Sequence, residues 1–220
     1  VTTLTVRPTG TTAIGRVRSG GLLTNYATLK ETYAAGSVDN GTGIITLGQW
    51  TDLTNLEINE GFFEFSMASL PTTAIVTSAV FEYTMFSSNR SNVCDHQLLA
   101  FAAGSITSAD WRAASTLSGF TNYGTLSGTT SFAADTTYQA SLNAAGRAAV
   151  QAASGGTFSM MSASDHLIAG TPPTGNHQYT IRSDDDTTSS WRPALIVTYS
   201  EAVGVRNRTG RKLSTMRLVA

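Results

Sequence analysis

Residues 62–86 read FFEFSMASLPTTAIVTSAVFEYTMF, two alternating runs joined by a short Ser-Leu-Pro connection. In the first run Phe63, Phe65 and Met67 fall on one side of an extended chain, with Glu64 and Ser66 on the other. In the second, Ala79, Phe81, Tyr83 and Met85 alternate in the same way with Glu82 and Thr84. Strands with one apolar and one polar face belong to antiparallel sheets. The stretch therefore predicts a hairpin of two antiparallel strands within an all-β protein.

Working outward, strand-like segments recur at 1–6, 13–17, 43–47, 56–58, 97–102, 157–161, 178–182 and 194–199. Turn clusters separate them, among them Asp39-Asn40-Gly41, Ser118-Gly119, Ser154-Gly155-Gly156 and the Pro172-Pro173 run. Many short strands with regular turn signals mean a sandwich, jelly roll or barrel. One segment departs from the pattern. Residues 139–153 (QASLNAAGRAAVQAA) are rich in Ala and place Leu142, Ala145, Ala149, Val150 and Ala153 at helical spacing, with Gly155 and Gly156 to stop the helix. Its apolar face is small, so it is expected to pack across one end or edge of a sheet. Residues 108–114 read as a single helical turn around Trp111.

Composition narrows the class further. At 220 residues the chain can bury a core without disulfides or metal. Only 13% of residues are charged, about half the usual share, while 41% are hydrophobic, which separates it from disordered chains. Cys94 is the only cysteine, so an intrachain disulfide and a multi-cysteine metal site are both excluded. A lone thiol reads as a small buried apolar residue. No apolar run reaches membrane-spanning length, and no membrane partner is expected. An opening at Val1 fits a chain trimmed of its initiator Met, or of a leader.

The last twenty residues differ in kind. They carry Arg206, Arg208, Arg211, Lys212 and Arg217 against Glu201 alone, a charge of +4 that leaves −5 on residues 1–200. Such asymmetry suggests a tail that docks on an acidic partner or another subunit. Leu213, Met216, Leu218 and Val219 favour docking over a merely solubilising role. Five cations without interleaved aromatics do not make a specific nucleic-acid site.

Four pieces of the chain resemble the DNRLRE-type jelly roll, a carbohydrate-binding-module-like domain of phage structural and bacterial surface proteins. They are RVRSGGLLTNYATLKE (16–31), GFFEFSMASLPTTAIVTSAVFEYTM (61–85), YQASLNAAGRAAVQAASGGTFSM (138–160) and YTIRSDDDTTSSWRPALIVTY (179–199). Phe63, Glu64 and Phe65 stand where that family has Arg-Phe-Asp, and residues 35–60 form a longer loop than is typical. The resemblance implies one antiparallel jelly-roll β-sandwich over residues 1–200 with one short crossing helix, followed by the basic docking tail 201–220.

Residues that could carry chemistry are few. The sequence holds no G-x-S-x-G, H-E-x-x-H or P-loop motif. His96 and His166 each follow an aspartate, and neighbours on a strand point to opposite faces. These two and His177 are expected on the surface or in loops. Asp184, Asp185 and Asp186 could supply oxygen ligands to a calcium cofactor. A solvated turn bracketed by Arg182 and Arg192 is the preferred reading. Trp50, Trp111 and Tyr123 sit in loop-like surroundings and are the candidates for stacking on a glycan.

The expectation that follows is a non-enzymatic bacteriophage virion protein, a capsid decoration or cement protein on the particle surface. Its partners would be the major capsid protein or other virion subunits, with copies of itself, in a trimer by analogy with other capsid jelly rolls. The alternative is an extracellular glycan-binding module of a bacterial protein, in which the partner is a surface glycan.

Overall fold

A computed structural model describes residues 1–8, 14–22, 25–32, 37–39, 43–52, 54–87, 94–102, 104, 106–127 and 132–201. The basic segment 202–220 lies outside the described residues. The strands are β1 (Thr2–Val6), β2 (Ile14–Leu22), β3 (Ser37–Asp39), β4 (Ile44–Thr51), β5 (Asn55–Ser66), β6 (Ala74–Ser87), β7 (His96–Ala100), β8 (Asn122–Leu126), β9 (Thr137–Ser141), β10 (Thr157–Ser164), β11 (Asn176–Arg182) and β12 (Ala194–Glu201). The helices are α1 (Tyr26–Leu29), α2 (Ala114–Leu117), α3 (Ala144–Ala152) and α4 (Asp165–Ile168). None of these helices is long and apolar enough to cross a membrane.

The protein is an all-β sandwich in which the strand pairings are antiparallel. One layer runs β1-β12-β6-β9. In the other, β5 pairs β2 along one side, and along the opposite side it pairs β4 near its start and β10 near its end. Beyond β10 follow β7 and β8, and beyond β4 follows β11. The end of β6 pairs β11, so this long strand bends from one layer into the other.

The predicted hairpin is corrected. The two runs of residues 62–86 are strands β5 and β6, yet they do not pair with each other; they face one another across the core. Phe81 on β6 meets Phe63 and Phe65 on β5 with ring centres 4.8 and 6.3 Å apart. The Ser-Leu-Pro connection is an arch between layers. Met67 and Leu70 are buried in it, the Leu70 N–H donates to Met67 O at 3.0 Å, and the Ala74 N–H donates to Pro71 O at 2.9 Å. Pulling Met67 and Leu70 into the core turns the chain through the sandwich instead of reversing it within a sheet.

A second difference follows from the position of β5. Its inner side carries Phe63 and Phe65 into the main core, while Ile58 and Phe62 enter a second cluster on the outer side. That second cluster is closed by Tyr26 and Leu29 of α1, Trp111, Ala114 and Leu117 around α2, and Leu167 of α4. β5 is thus buried on both sides, whereas β6 keeps the one-sided pattern with Ile75 half exposed.

The helical segment is shorter than its alternation of alanines suggests. Residues 137–141 are strand β9, and α3 begins only after Asn143, whose side chain accepts the Gly146 N–H at 3.0 Å. Val150 is fully buried, and α3 packs on β6 of one layer and β8 of the other, closing an end of the sandwich as expected. Strands β3 and β8 had no counterpart in the sequence reading.

Gly48, in the middle of β4, has φ +95°. In a regular strand Leu47 and Gln49 would share a face, yet Leu47 packs in the main core and Gln49 Nε2 reaches Tyr26 Oη in the second cluster at 3.4 Å. The left-handed glycine makes that reversal, and a Cβ there would collide with the His177 carbonyl oxygen and lie 2.9 Å from the His96 ring. Gly48→Ala is expected to lower stability by about 2 kcal/mol or more. The check is a urea titration, in which the midpoint should fall with the slope unchanged.

Candidate functional site

Trp50 lines an open cleft of about 590 Å³ at the end of β2, β4 and β5, together with Arg18, Leu22, Ser37, Asn55 and Glu57. Trp50 and Glu57 are opposite one another in the β4–β5 ladder. Glu57 is fixed from three directions: Arg18 pairs with its Oε2 at 3.1 Å, and Asn59 Nδ2 and Gln178 Nε2 donate to its Oε1 at 2.9 and 3.2 Å. On the rim, Asp52 Oδ1 accepts the Thr54 and Asn55 N–H groups at 2.7 and 2.6 Å, and its Oδ2 accepts Asn55 Nδ2 at 2.9 Å. The hydrogen bonds from Asn55, with help from Thr54, hold the Asp52 carboxyl down at about 2. The cleft therefore joins one half-buried aromatic ring to guanidinium, carboxylate and amide groups in set positions.

The other two aromatic candidates lie elsewhere. Trp111 is 8% exposed and belongs to the second cluster, so its ring face is not open to a ligand. Tyr123 is half-buried against Phe158, with ring centres 5.7 Å apart. The structure does not bring these two to the Trp50 cleft.

The acidic run is a turn between β11 and β12. Asp186 accepts from Arg182 at 3.1 Å and from the Thr188 N–H at 2.8 Å, and Asp185 accepts the Gly43 N–H at 2.6 Å. The Arg182 guanidinium lies over the Phe86 ring at 4.5 Å and the Trp191 ring at 4.6 Å. Asp184 is buried, and burial followed by the Asp185 charge pushes its carboxyl up to about 6. Among the described residues, the metal-ligating side chains that converge lie elsewhere than Asp184, Asp185 and Asp186.

A different cluster was not anticipated. Among the described residues, the group of metal-ligating side chains that converges is Cys94, His166 and His177, whose ligand atoms lie within 4.8 Å of one another. Cys94 precedes β7, His166 is in α4 and His177 is on β11. The two imidazole rings lie 4.5 Å apart between centres. The Cys94 thiol donates to Asp165 Oδ1 at 2.9 Å. Burial and the Asp165 carboxylate push that thiol up to about 12, which keeps it protonated and disfavours a role as a nucleophile. His96 is nearby, fully buried, with Nδ1 3.2 Å from Ser162 Oγ and its ring edge-on to Tyr179 at 4.5 Å. The expectation of surface or loop histidines is corrected for His96 and His177, which are buried; His166 is half-buried in a helical turn.

Glu60 on β5 is fully buried beside the second cluster. Its Oε2 accepts the Arg112 N–H at 3.0 Å, and Oε1 has no hydrogen-bond partner among the described residues. Burial raises this carboxyl from 4.5 to about 8, against the smaller opposing pull of Arg112. No family model matches the chain, and no curated protein matches it significantly.

A carboxyl whose folded value is raised stabilises the fold fully at low pH and loses that contribution as pH rises. For Glu60 the loss spans about 4.5 to about 8. Asp184, raised to about 6, adds its own loss over the lower part of that range. Glu60→Gln is expected to flatten stability between pH 6 and 8 and to gain about 1 kcal/mol or more at pH 8. Chemical denaturation across that range measures it.

Proposed function

We propose that this protein is a non-enzymatic structural component of a bacteriophage particle, a decoration protein that packs beside copies of itself on the outside of the shell. The observation that carries the reading is the open edge of the sandwich. β1 (TTLTV) is uncharged, and among the described residues it pairs on one side alone, with β12. Soluble proteins usually block such an edge with charge, proline or a covering segment, because its free backbone groups invite another strand. Beside it, the outer side of the layer presents Thr3, Thr5, Ile75, Ser78, Ile196 and Thr198, an uncharged stretch that ends at the Arg7–Glu82 ion pair. The basic tail begins where β12 ends, at the same end of the layer as the start of β1, because Thr2 pairs with Tyr199. A +4 tail beside a neutral edge suits anchoring to an acidic shell while neighbouring copies meet edge to edge. The jelly-roll connectivity belongs to the same reading, supported by the pairing of the first strand with the last and by the arch between layers.

Added to particles that lack it, the full chain is expected to bind to a saturable occupancy. Deletion of residues 202–220 should abolish binding while the circular dichroism spectrum of the sandwich persists. Thr3→Lys combined with Thr5→Lys should leave the fold intact and lower occupancy by charging the edge. Full occupancy by both variants would exclude this mode of assembly.

The Trp50 cleft favours a second reading, a glycan-binding module. Sugars present C–H faces that stack on a ring and hydroxyls that need planar polar partners, and Trp50, Glu57, Arg18 and Asn55 provide both kinds of contact. On a polysaccharide array this reading expects binding that Trp50→Ala weakens about tenfold or more, roughly 1.4 kcal/mol. Absence of any bound polysaccharide leaves the assembly reading alone.

A further inference from the structure

We propose that Cys94, Asp165, His166 and His177 form a binding site for a single divalent cation of the zinc class. The chain has one cysteine and three histidines in 220 residues, and the fold draws the cysteine and two of the histidines together from three separate segments. Their ligand atoms lie within 4.8 Å of one another. Around a four-coordinate zinc, with bonds of about 2.0–2.3 Å, neighbouring ligand atoms stand roughly 3.3–3.6 Å apart. The closure required is about 1.5 Å at most, which side-chain rotation supplies. Asp165 stands outside the three groups that already converge, but its Oδ1 is 2.9 Å from Cys94 Sγ and accepts the His166 N–H at 2.8 Å, and rotation of its carboxylate supplies the fourth ligand.

The backbone around these groups is held independently of any ion. The Asp165 N–H donates to Asp95 O at 2.9 Å, and the Tyr179 hydroxyl donates to Cys94 O. His177 is fixed opposite Gln49 in the β4–β11 ladder. Cys94 and His177 are each 2% exposed, and His166 Nδ1 is buried without a hydrogen-bond partner among the described residues. Asp165 also lines an open cleft of about 350 Å³ with Gln97, Phe120 and Asn122, so this member of the set borders solvent. One sulfur, two imidazole nitrogens and one carboxylate oxygen form a borderline-soft set that suits zinc, and not the all-oxygen set that calcium or magnesium requires. On binding, the thiol proton leaves to solvent, and a sulfur–metal bond replaces the S–H···O bond to Asp165. A closed four-ligand set is structural in character, tying the segment before β7 to α4 and β11.

The site is independent of the assembly reading, and its test does not involve particles. Untagged full-length protein is stripped with a chelator, then titrated with Zn²⁺ by calorimetry and with Co²⁺ by absorption. One equivalent of each should bind, with release of one proton for Zn²⁺ and a thiolate-to-cobalt charge-transfer band. Saturating Zn²⁺ should raise Tm by about 5 °C or more. His166→Ala, at a half-buried position, should weaken Zn²⁺ by more than about 100-fold, since even outer partners of metal ligands are worth about 10–100-fold. Cys94→Ser should lose the charge-transfer band; if it does not fold, the native spectrum and His166→Ala decide. Absence of stoichiometric binding, a cobalt spectrum without a thiolate band, or an unchanged affinity in His166→Ala would overturn the proposal and leave the cluster as buried packing alone.

Discussion

Phe63 and Phe65 of β5 press on Phe81 of β6 across the sandwich, at ring separations of 4.8 and 6.3 Å, and the rest of the structure is arranged around that contact. A fully buried aromatic side chain contributes about 1.5–3 kcal/mol, and truncation to Ala costs about 3–5 kcal/mol because the neighbours cannot close the gap. The arch at Met67 and Leu70 exists to bring the two strands face to face. With the inner side of β5 committed to this contact, Ile58 and Phe62 on its outer side need a cover of their own. The short helices α1, α2 and α4 supply it, and none is long enough to be stable alone. They hold their place because the sheet beneath them is already built.

Where the apolar layers part, charge takes over. Between β11 and β12 the chain leaves one layer for the other, and a charged side chain fills the space between aromatic rings. That side chain is Arg182, held between the Phe86 and Trp191 rings and pairing with Asp186. The Arg192 Nε–H donates to Asp186 O at 2.8 Å, so both arginines flanking the acidic run turn inward on it. Such pairs define a loop conformation more than they add stability, since desolvation offsets much of their attraction. Glu60 and Asp184 show the other outcome of burial. With little positive charge facing them, both are pushed toward the neutral acid.

Much of the fold was legible in the residues because alternation and turn chemistry are local. Eight predicted strand segments correspond to β1, β2, β4, β5, β7, β10, β11 and β12, and α3 was found from its spacing, although its first residues belong to β9. The hairpin was misread because alternation says which side of a strand is apolar, and nothing about which neighbour it pairs with. β8 (NYGTL) was missed since Gly124 and Asn122 dilute its pattern. Of the candidate site, Trp50 was identified from its surroundings, whereas its partners Arg18 and Glu57 come from other strands. The Cys94, His166 and His177 cluster left no spacing signal, since its members are 72 and 11 residues apart. Its one trace in the sequence is compositional: a chain with a single cysteine and few histidines gathers most of them in one place.

β4 links the cleft and the cluster mechanically. Trp50, Gln49 and Gly48 pair in order with Asn176, His177 and Gln178 of β11. Gln178 in turn donates to Glu57, the acid that faces Trp50. The left-handed conformation of Gly48 allows the β11 carbonyl and the His96 ring to approach at the same point. A side chain at residue 48 would therefore displace Trp50 and His177 together, through three adjacent residue pairs of the β4–β11 ladder. The ring that lines the cleft and the imidazole that faces Cys94 are positioned by one backbone irregularity, which a sequence pattern based on strict alternation has no means to express.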